Sequence, residues 1–280
     1  MKHILITGAE SYVGTALERY LTENFPDDYT VSTVDVREDT YLTDSFYGYD
    51  TVVHVAGIVH RPTAPAELYY KVNRDLAITV AEKAKREGVA HFILFSTMSV
   101  YGKTTGVITK DTPLCPKSHY GKSRAQAEEA ILAMEDGSFA VTVLRPPMIY
   151  GNGCKGNFNT VVKLVKALPS FPRVSNRRSM LYIENLNVFM RRVIDERMRG
   201  IYFPRNTVPM NTTEMARAIA DALGTRLHLS RILGAAVFLT RPFIKKFRKA
   251  FGTLVYIGMG DEALYEDVID NASSVKLSVL

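Results

Sequence analysis

Short runs rich in apolar residues alternate through the first half of the chain with longer stretches in which apolar residues recur every three or four positions. The runs at residues 3–7, 30–34, 51–55, 91–95 and 140–144 predict strands. The periodic stretches at 13–23, 67–86 and 120–134 predict helices. Strands alternating with helices imply a parallel sheet covered on both faces. Gly88, just after Lys83, Lys85 and Arg86, marks a helix stop with basic residues in its last turn. The segment 36–48 is short for a full crossover helix. Beyond Gly151 the rhythm loosens into a helix near 159–167, a link containing Pro169 and Pro172, and a helix near 186–197. Asn211, with Glu214 three residues on, predicts a further helix start of the capping-box kind.

The first strand ends in a turn with a chemical signature, Thr7-Gly8-Ala9-Glu10-Ser11-Tyr12-Val13-Gly14. Strand, glycine turn and helix together aim the free N–H groups of a helix N-terminus at a pyrophosphate. Gly8 lets the backbone turn and approach the phosphates, and Gly14 lets the helix pack closely on the strand. Ser11 stands where the middle glycine of such a turn usually falls, adding a hydroxyl. The same turn also occurs without a ligand. Asp35 favours a dinucleotide, because it ends the second apolar run 21 residues after Gly14. An acid there accepts hydrogen bonds from a ribose diol and repels a 2′-phosphate, which predicts NAD ahead of NADP. Arg37, two residues on, is placed to offset that repulsion.

Two further stretches carry chemistry. Phe95-Ser96-Thr97-Met98-Ser99-Val100-Tyr101-Gly102 closes the fourth strand at the sheet edge that faces a ligand crevice. Ser118-His119-Tyr120-Gly121-Lys122-Ser123-Arg124 opens a helix, with Tyr120 and Arg124 four residues apart on one face. A cation beside a phenol favours the phenolate, which can exchange a proton with a substrate hydroxyl. Thr97 offers a hydroxyl to orient the same oxygen. Each stretch alone also reads as ordinary helix and strand-end chemistry; their order behind a dinucleotide turn points to a site.

Composition sets bounds. At 280 residues, 46% apolar and 23% charged, the chain suits a soluble globular protein with a sizeable core. No apolar run approaches the ~18–20 residues of a membrane span. The first strand starts almost at once, which leaves no room for a signal peptide, and Cys115 and Cys154 lie far apart in sequence, so a reducing cytoplasm is expected. His54, His60, His91, His119 and His228 are scattered, and no metal is expected. Much of the net charge of +6 falls after residue 225, so it describes one region, and no nucleic-acid partner is expected. Residues 231–251 alternate apolar positions with Arg241, Lys245, Lys246, Arg248 and Lys249, and Pro242 interrupts any single long helix. They read either as a basic amphipathic segment making peripheral membrane contact or as part of a substrate lobe or partner contact.

In these motifs the chain resembles the extended short-chain dehydrogenase/reductase family, in the NAD-dependent nucleotide-sugar epimerase/dehydratase branch typified by UDP-glucose 4-epimerase. His54-Val55-Ala56-Gly57, Asn73, Leu144-Arg145-Pro146-Pro147-Met148-Ile149-Tyr150-Gly151 and Arg178-Ser179-Met180-Leu181-Tyr182-Ile183 extend the resemblance to about residue 225. It implies an α/β fold: a Rossmann-type doubly wound parallel sheet over residues 1–150, with chain returns from the second half. Residues 151–280 would form mostly a smaller C-terminal substrate lobe and a basic C-terminal region. By the same resemblance, Gly8, Ser11, Tyr12, Val13, Gly14 and Asp35 hold the pyrophosphate and adenosine ribose of NAD. Val55, Ala56, Gly57, Asn73, Tyr120, Arg124 and Pro147 line the rest of the cofactor. Thr97 and Tyr120 match the catalytic hydroxyl and tyrosine, and Thr97, Asn157 and Arg178 meet the substrate, with the last two on its diphosphate.

One departure concerns chemistry. The family carries Tyr-x-x-x-Lys, and here Arg124 stands in place of the lysine; Lys122 points to another face. Arginine supplies charge but does not give up a proton. Lysine restored at 124 is therefore expected to keep or raise turnover. The implied activity is a nucleotide-sugar 4-epimerase acting on a UDP-hexose or UDP-N-acetylhexosamine through a 4-keto intermediate, in surface polysaccharide synthesis. A nucleotide-sugar 4-ketoreductase and a non-catalytic NAD(P)-binding sensor are the alternatives. A homodimer is expected.

Overall fold

The computed structural model describes residues 1–36, 39–59 and 63–279, with the side chains of 39, 40, 245 and 246 outside that description. The chain opens with β1 (Lys2–Thr7), α1 (Tyr12–Asn24), β2 (Tyr29–Val34) and β3 (Thr51–His54). Next come α2 (Ala66–Tyr70), a π-helical turn (Lys71–Asp75), α3 (Leu76–Arg86), β4 (His91–Phe95) and β5 (Gly106–Ile108). These are followed by α4 (His119–Leu132), β6 (Ala140–Leu144), β7 (Met148–Tyr150), α5 (Asn157–Ala167), β8 (Ser170–Pro172) and β9 (Met180–Tyr182). The remainder runs α6 (Ile183–Glu196), β10 (Gly200–Tyr202), α7 (Thr212–Ala222), β11 (His228–Ser230), α8 (Arg231–Thr240), α9 (Lys245–Phe251), β12 (Leu254–Tyr256) and α10 (Asn271–Leu277).

The fold forms two compact units. The first comprises residues 1–102, 113–146 and 187–204. It holds a six-stranded sheet in the order β10-β6-β4-β3-β1-β2, parallel throughout. Every residue of β3, β4 and β6 is buried, as a parallel sheet covered on both faces requires. Ala77, Ala81 and Ala84 bring α3 close to Val52, Phe92 and Leu94 of the sheet. The expected long helix at 67–86 is present, with the π-helical turn inserted at its middle. Between β2 and β3 the described chain makes only a 3-10 turn, Asp39–Leu42, and β3 then pairs on the far side of β1. The direction of winding therefore reverses between β1 and β3.

The second unit comprises residues 103–112, 147–186 and 205–280. Three two-stranded parallel pairs, β7 with β9, β8 with β11 and β5 with β12, support its helices. The predicted helix start at Asn211 is there: its side chain accepts from the N–H groups of Thr213 and Glu214 at 2.8 and 3.2 Å. Asn176 ties α7 to the preceding loop, donating to Thr212 Oγ1 (2.8 Å) while its own Oδ1 accepts from Thr212 N (3.0 Å). Pro242 falls in the break between α8 and α9, as expected from the sequence.

Candidate active site

In an open parallel sheet, ligands bind outside the carboxyl ends of the strands where the winding reverses, here beyond Thr7 and His54. Gly8 turns the chain there with φ +101°, and a Cβ on it would lie 3.0 Å from Ala56 N. Both observations require glycine. Gly14 has the predicted role, since a Cβ would meet Ser11 Oγ at 2.6 Å and Ile6 and Val55 methyls at 3.1 and 3.2 Å. Ser11 caps α1, its Oγ accepting from Gly14 N at 3.0 Å. Its φ of −72° explains why no glycine is needed at that position. Tyr12 and Val13, both half-buried, begin the first turn of α1, whose N–H groups have no carbonyl ahead of them. Val34 O accepts from Gly8 N (2.9 Å) and Ala9 N (3.4 Å), so the chain enters Asp35 beside the glycine turn.

This placement makes the nucleotide preference testable. Asp35 would face a 2′-phosphate with like charge, so NAD(H) is expected to bind tighter than NADP(H) by on the order of tenfold or more. Titration calorimetry with both nucleotides checks this, and tighter NADP(H) binding overturns it. Arg37, read above as a compensating cation, lies outside the described residues.

The second wall of the crevice is the loop after β3. Val55 N donates to Thr7 O at 3.2 Å, which keeps Val55, Ala56 and Gly57 against the end of β1. Asn73, in the π-helical turn and fully buried, holds this loop from behind. Its Oδ1 accepts from Ile58 N (2.9 Å) and its Nδ2 donates to Ile58 O (3.0 Å). The amide expected from the resemblance to line the cofactor thus bonds both backbone groups of Ile58.

Thr97 N-caps a short 3-10 turn, Met98–Tyr101. Its Oγ1 accepts from Ser99 N at 3.1 Å and donates to Ser99 Oγ at 3.2 Å. Helix α4 packs on this turn through Gly121, where a Cβ would come within 2.8 Å of Ser99 O. The glycine next to Tyr120 thereby lets the tyrosine's helix approach the threonine's turn. Tyr120 is half-buried, Arg124 is buried and Lys122 is exposed, as the helical spacing predicts.

Arg124 Nη2 donates to Ala56 O at 3.1 Å, and a Cβ on Gly57 would lie 1.9 Å from that nitrogen. Gly57 leaves the space the guanidinium fills. Burial lowers the pKa of Arg124 from its ordinary value, while the neighbouring Tyr120 hydroxyl and Glu128 carboxylate oppose that. Its Nε and Nη1 are buried with no hydrogen-bond partner among the described residues. Unpaired buried donors are costly unless a ligand acceptor meets them. Together with the bare turn at Gly8 and the open start of α1, they fit a bound dinucleotide.

His54 lies under the same crevice, its Nδ1 2.7 Å from Thr7 Oγ1. Burial, helped by the Arg124 charge, pushes its pKa down to about 3. Burial likewise pushes His91 down to about 4. Both rings are neutral when folded and take up a proton on unfolding once the pH falls below the ordinary 6.5 of a histidine. Stability is therefore greatest above that value and falls as pH drops from 6.5 toward 4. The slope for two protons approaches about 2.7 kcal/mol per pH unit. Urea unfolding at a series of pH values checks this; a flat stability between neutral pH and 5 contradicts it.

The other residues implied by the resemblance belong to the second unit. Pro147 precedes β7, and Asn157 is the exposed first residue of α5. Arg178 N and O exchange hydrogen bonds with Met210 at 2.9 and 2.8 Å, and its Nη1 donates to Gly252 O at 2.8 Å. Burial lowers this guanidinium from its ordinary value.

Comparison with known proteins decides the family. Residues 4–200 match the model of the NAD dependent epimerase/dehydratase family. The chain belongs to that family. It is 30% identical over 252 residues to the UDP-glucose 4-epimerase of Vibrio cholerae, covering 79% of this chain and 76% of that protein. It is 27% identical over 256 residues to the N-acetyl-α-D-glucosaminyl-diphospho-ditrans,octacis-undecaprenol 4-epimerase of Escherichia coli O157:H7, covering 83% and 76%. Among solved structures, the UDP-glucuronic acid 4-epimerase of Bacillus cereus in complex with NAD superposes with a TM-score of 0.77 over 99% of this chain and 97% of that one. At 16% identity this likeness speaks for the fold alone.

Within the family fold, one buried cluster escaped the sequence reading. Arg145 Nη2 and Nε reach Glu128 Oε2 at 2.6 and 3.0 Å, and Arg145 Nη1 donates to Tyr101 OH at 2.9 Å. Ser96 Oγ donates to the other oxygen of Glu128. Burial opposes the Arg145 charge, but Glu128 outweighs it and holds the guanidinium above its ordinary value. These four side chains join the end of β4, the 3-10 turn after Thr97, the end of β6 and α4, and so fix the elements that carry Thr97 and Tyr120. Charged residues usually read as surface, and only their place one turn beyond Arg124 and at the end of a strand hinted at burial.

Proposed function

We propose that the protein is an NAD-dependent 4-epimerase of a diphosphate-linked sugar, taking a UDP-hexose or UDP-N-acetylhexosamine. Bound NAD supplies the acceptor and donor of hydride. Gly8, Ser11, Tyr12, Val13 and Gly14 would hold its pyrophosphate and Asp35 its adenosine ribose. Val55, Ala56 and Gly57, braced by Asn73, would flank the remainder with Pro147, and Arg124 would offer its unpaired N–H groups to ribose oxygens. Tyr120 takes the proton of the sugar 4-hydroxyl and returns it to the same oxygen, which Thr97 helps to orient. Asn157 and Arg178 are assigned to the substrate diphosphate, for which a planar guanidinium suits bidentate contact.

The observation that carries this reading is the buried Arg124 beside Tyr120. A guanidinium supports the phenolate by charge yet relays no proton. Epimerisation borrows one proton and gives it back, so it needs no relay, whereas a ketoreductase must draw a net proton from solvent in each cycle. Arginine at this position therefore favours the epimerase over the reductase. The sugar is carried by UDP in the name of the Vibrio relative and by a diphospho-polyprenol in that of the Escherichia one.

The test is incubation of the purified protein with UDP- and dTDP-sugars and with a polyprenyl-diphosphate sugar, following cofactor absorbance and sugar stereochemistry. Interconversion of 4-epimers without net change in NADH supports the proposal. Stoichiometric consumption of NADH when a nucleotide 4-keto sugar is supplied makes the protein a reductase. Cofactor binding without turnover of any of these sugars makes it a sensor.

A further inference from the structure

Helix α8 departs from the ordinary rule for a surface helix. Gly234 and Val237 mark its buried face, and a Cβ on Gly234 would come within 2.1 Å of Arg173 O, so the helix lies with its backbone against the chain after β8. A soluble helix carries polar side chains on the opposite side. Here that side is Ile232, Ala235, Ala236 and Leu239, with Ile232 82% and Leu239 69% exposed. Phe238 (60%) and, just past the helix, Phe243 (87%) widen the patch. Within α8 the polar residues are only Arg231 at the start and Thr240 at the end.

Along the stretch of chain that carries this patch the charge has one sign. Between Asp221 and Asp261 the sequence has seven Lys and Arg and no Asp or Glu. Arg226, Arg231 and Lys249 are exposed, and the Arg241 guanidinium lies 4.5 Å from the Phe238 ring centroid. Two copies of this face would bring like charges together, which disfavours self-association through it. A surface that is apolar within and anionic at its boundary matches both properties, and an anionic bilayer is that surface. Among the described residues no helix is long and apolar enough to cross a membrane, so the contact is peripheral.

We propose that α8, with Phe243 and the flanking cations, is a docking face for an anionic phospholipid bilayer. The contact is independent of the catalytic reading above and stands or falls separately from it. The apolar side chains enter the interface, and Arg226, Arg231, Arg241 and Lys249 meet the lipid phosphates.

Co-sedimentation of the full chain with vesicles tests it, using phosphatidylcholine alone and phosphatidylcholine containing phosphatidylglycerol. Binding is expected only with phosphatidylglycerol and is expected to weaken with added salt. Replacing both Ile232→Ser and Leu239→Ser should lower partitioning by about tenfold or more, because both lie on the apolar side that enters the interface. Arg231→Glu with Lys249→Glu should do likewise while leaving the thermal midpoint unchanged. Wild-type protein that ignores both vesicles, or serine variants that bind as well as wild type, overturns the proposal. Vesicle-independent dimers that the serine pair dissociates would assign the face to self-association and overturn it too.

Discussion

Tyr120→Phe is expected to lower turnover by ~10²–10⁴-fold, the usual contribution of a positioned acid–base group, while NAD affinity stays within a few-fold of wild type. The substitution removes one oxygen and keeps the ring on its half-buried site in the first turn of α4. The contacts that hold that turn, Ser118 Oγ accepting from Gly121 N at 3.1 Å and Gly121 against Ser99, do not involve the phenol. A loss in turnover without a loss in cofactor binding therefore reports chemistry and not folding. Thr97→Val should cost less, because the threonine orients an oxygen and exchanges no proton in the proposal. If Tyr120→Phe retains activity within a few-fold on a substrate that turns over, another group is the base.

How far the residues announced this arrangement depends on the range of the interaction. The five predicted strands fall within one residue of those observed, because β3, β4 and β6 are buried on both faces and rich in apolar residues, while β1 and the edge strand β2 keep enough apolar positions to mark them. The Gly8 turn and the Tyr120–Arg124 face were equally legible, since strand, turn and helix periodicity are local. Asn73 was placed near the cofactor by resemblance, but its hydrogen bonds to Ile58 depend on how the π-helical turn meets a loop 15 residues earlier. Gly57 was expected only to line the cofactor; its role in admitting the Arg124 guanidinium joins residues 67 positions apart. Glu128 and Arg145 were hidden by their charge. For α8, apolar residues occur all round the helix, so periodicity could not say which side the protein covers.

Removing the charge of Arg124 is the second large effect expected. Arg124→Met keeps a long apolar stem and deletes the guanidinium, leaving Ala56 O without the donor now 3.1 Å away and Tyr120 without its cation. Turnover is expected to fall on the order of 10²-fold, as the phenolate loses its electrostatic support. NAD affinity should weaken with it, because the unpaired Nε and Nη1 are the groups proposed to meet the cofactor. Arg124→Lys separates charge from shape. The ammonium keeps the cation beside Tyr120 and can exchange a proton, while the space in front of Gly57 is only partly filled. Turnover is expected to be preserved or raised, with the 4-epimer equilibrium unchanged. Comparing pH–rate profiles of wild type and the lysine variant tests the assignment, since the limb set by the acid–base group should be present in both. A large loss of rate in the lysine variant at unchanged NAD affinity would mean that the planar guanidinium itself is required. The Tyr-x-x-x-Lys pattern would then be the wrong template for this site, and the epimerase reading would have to rest on the measured products alone.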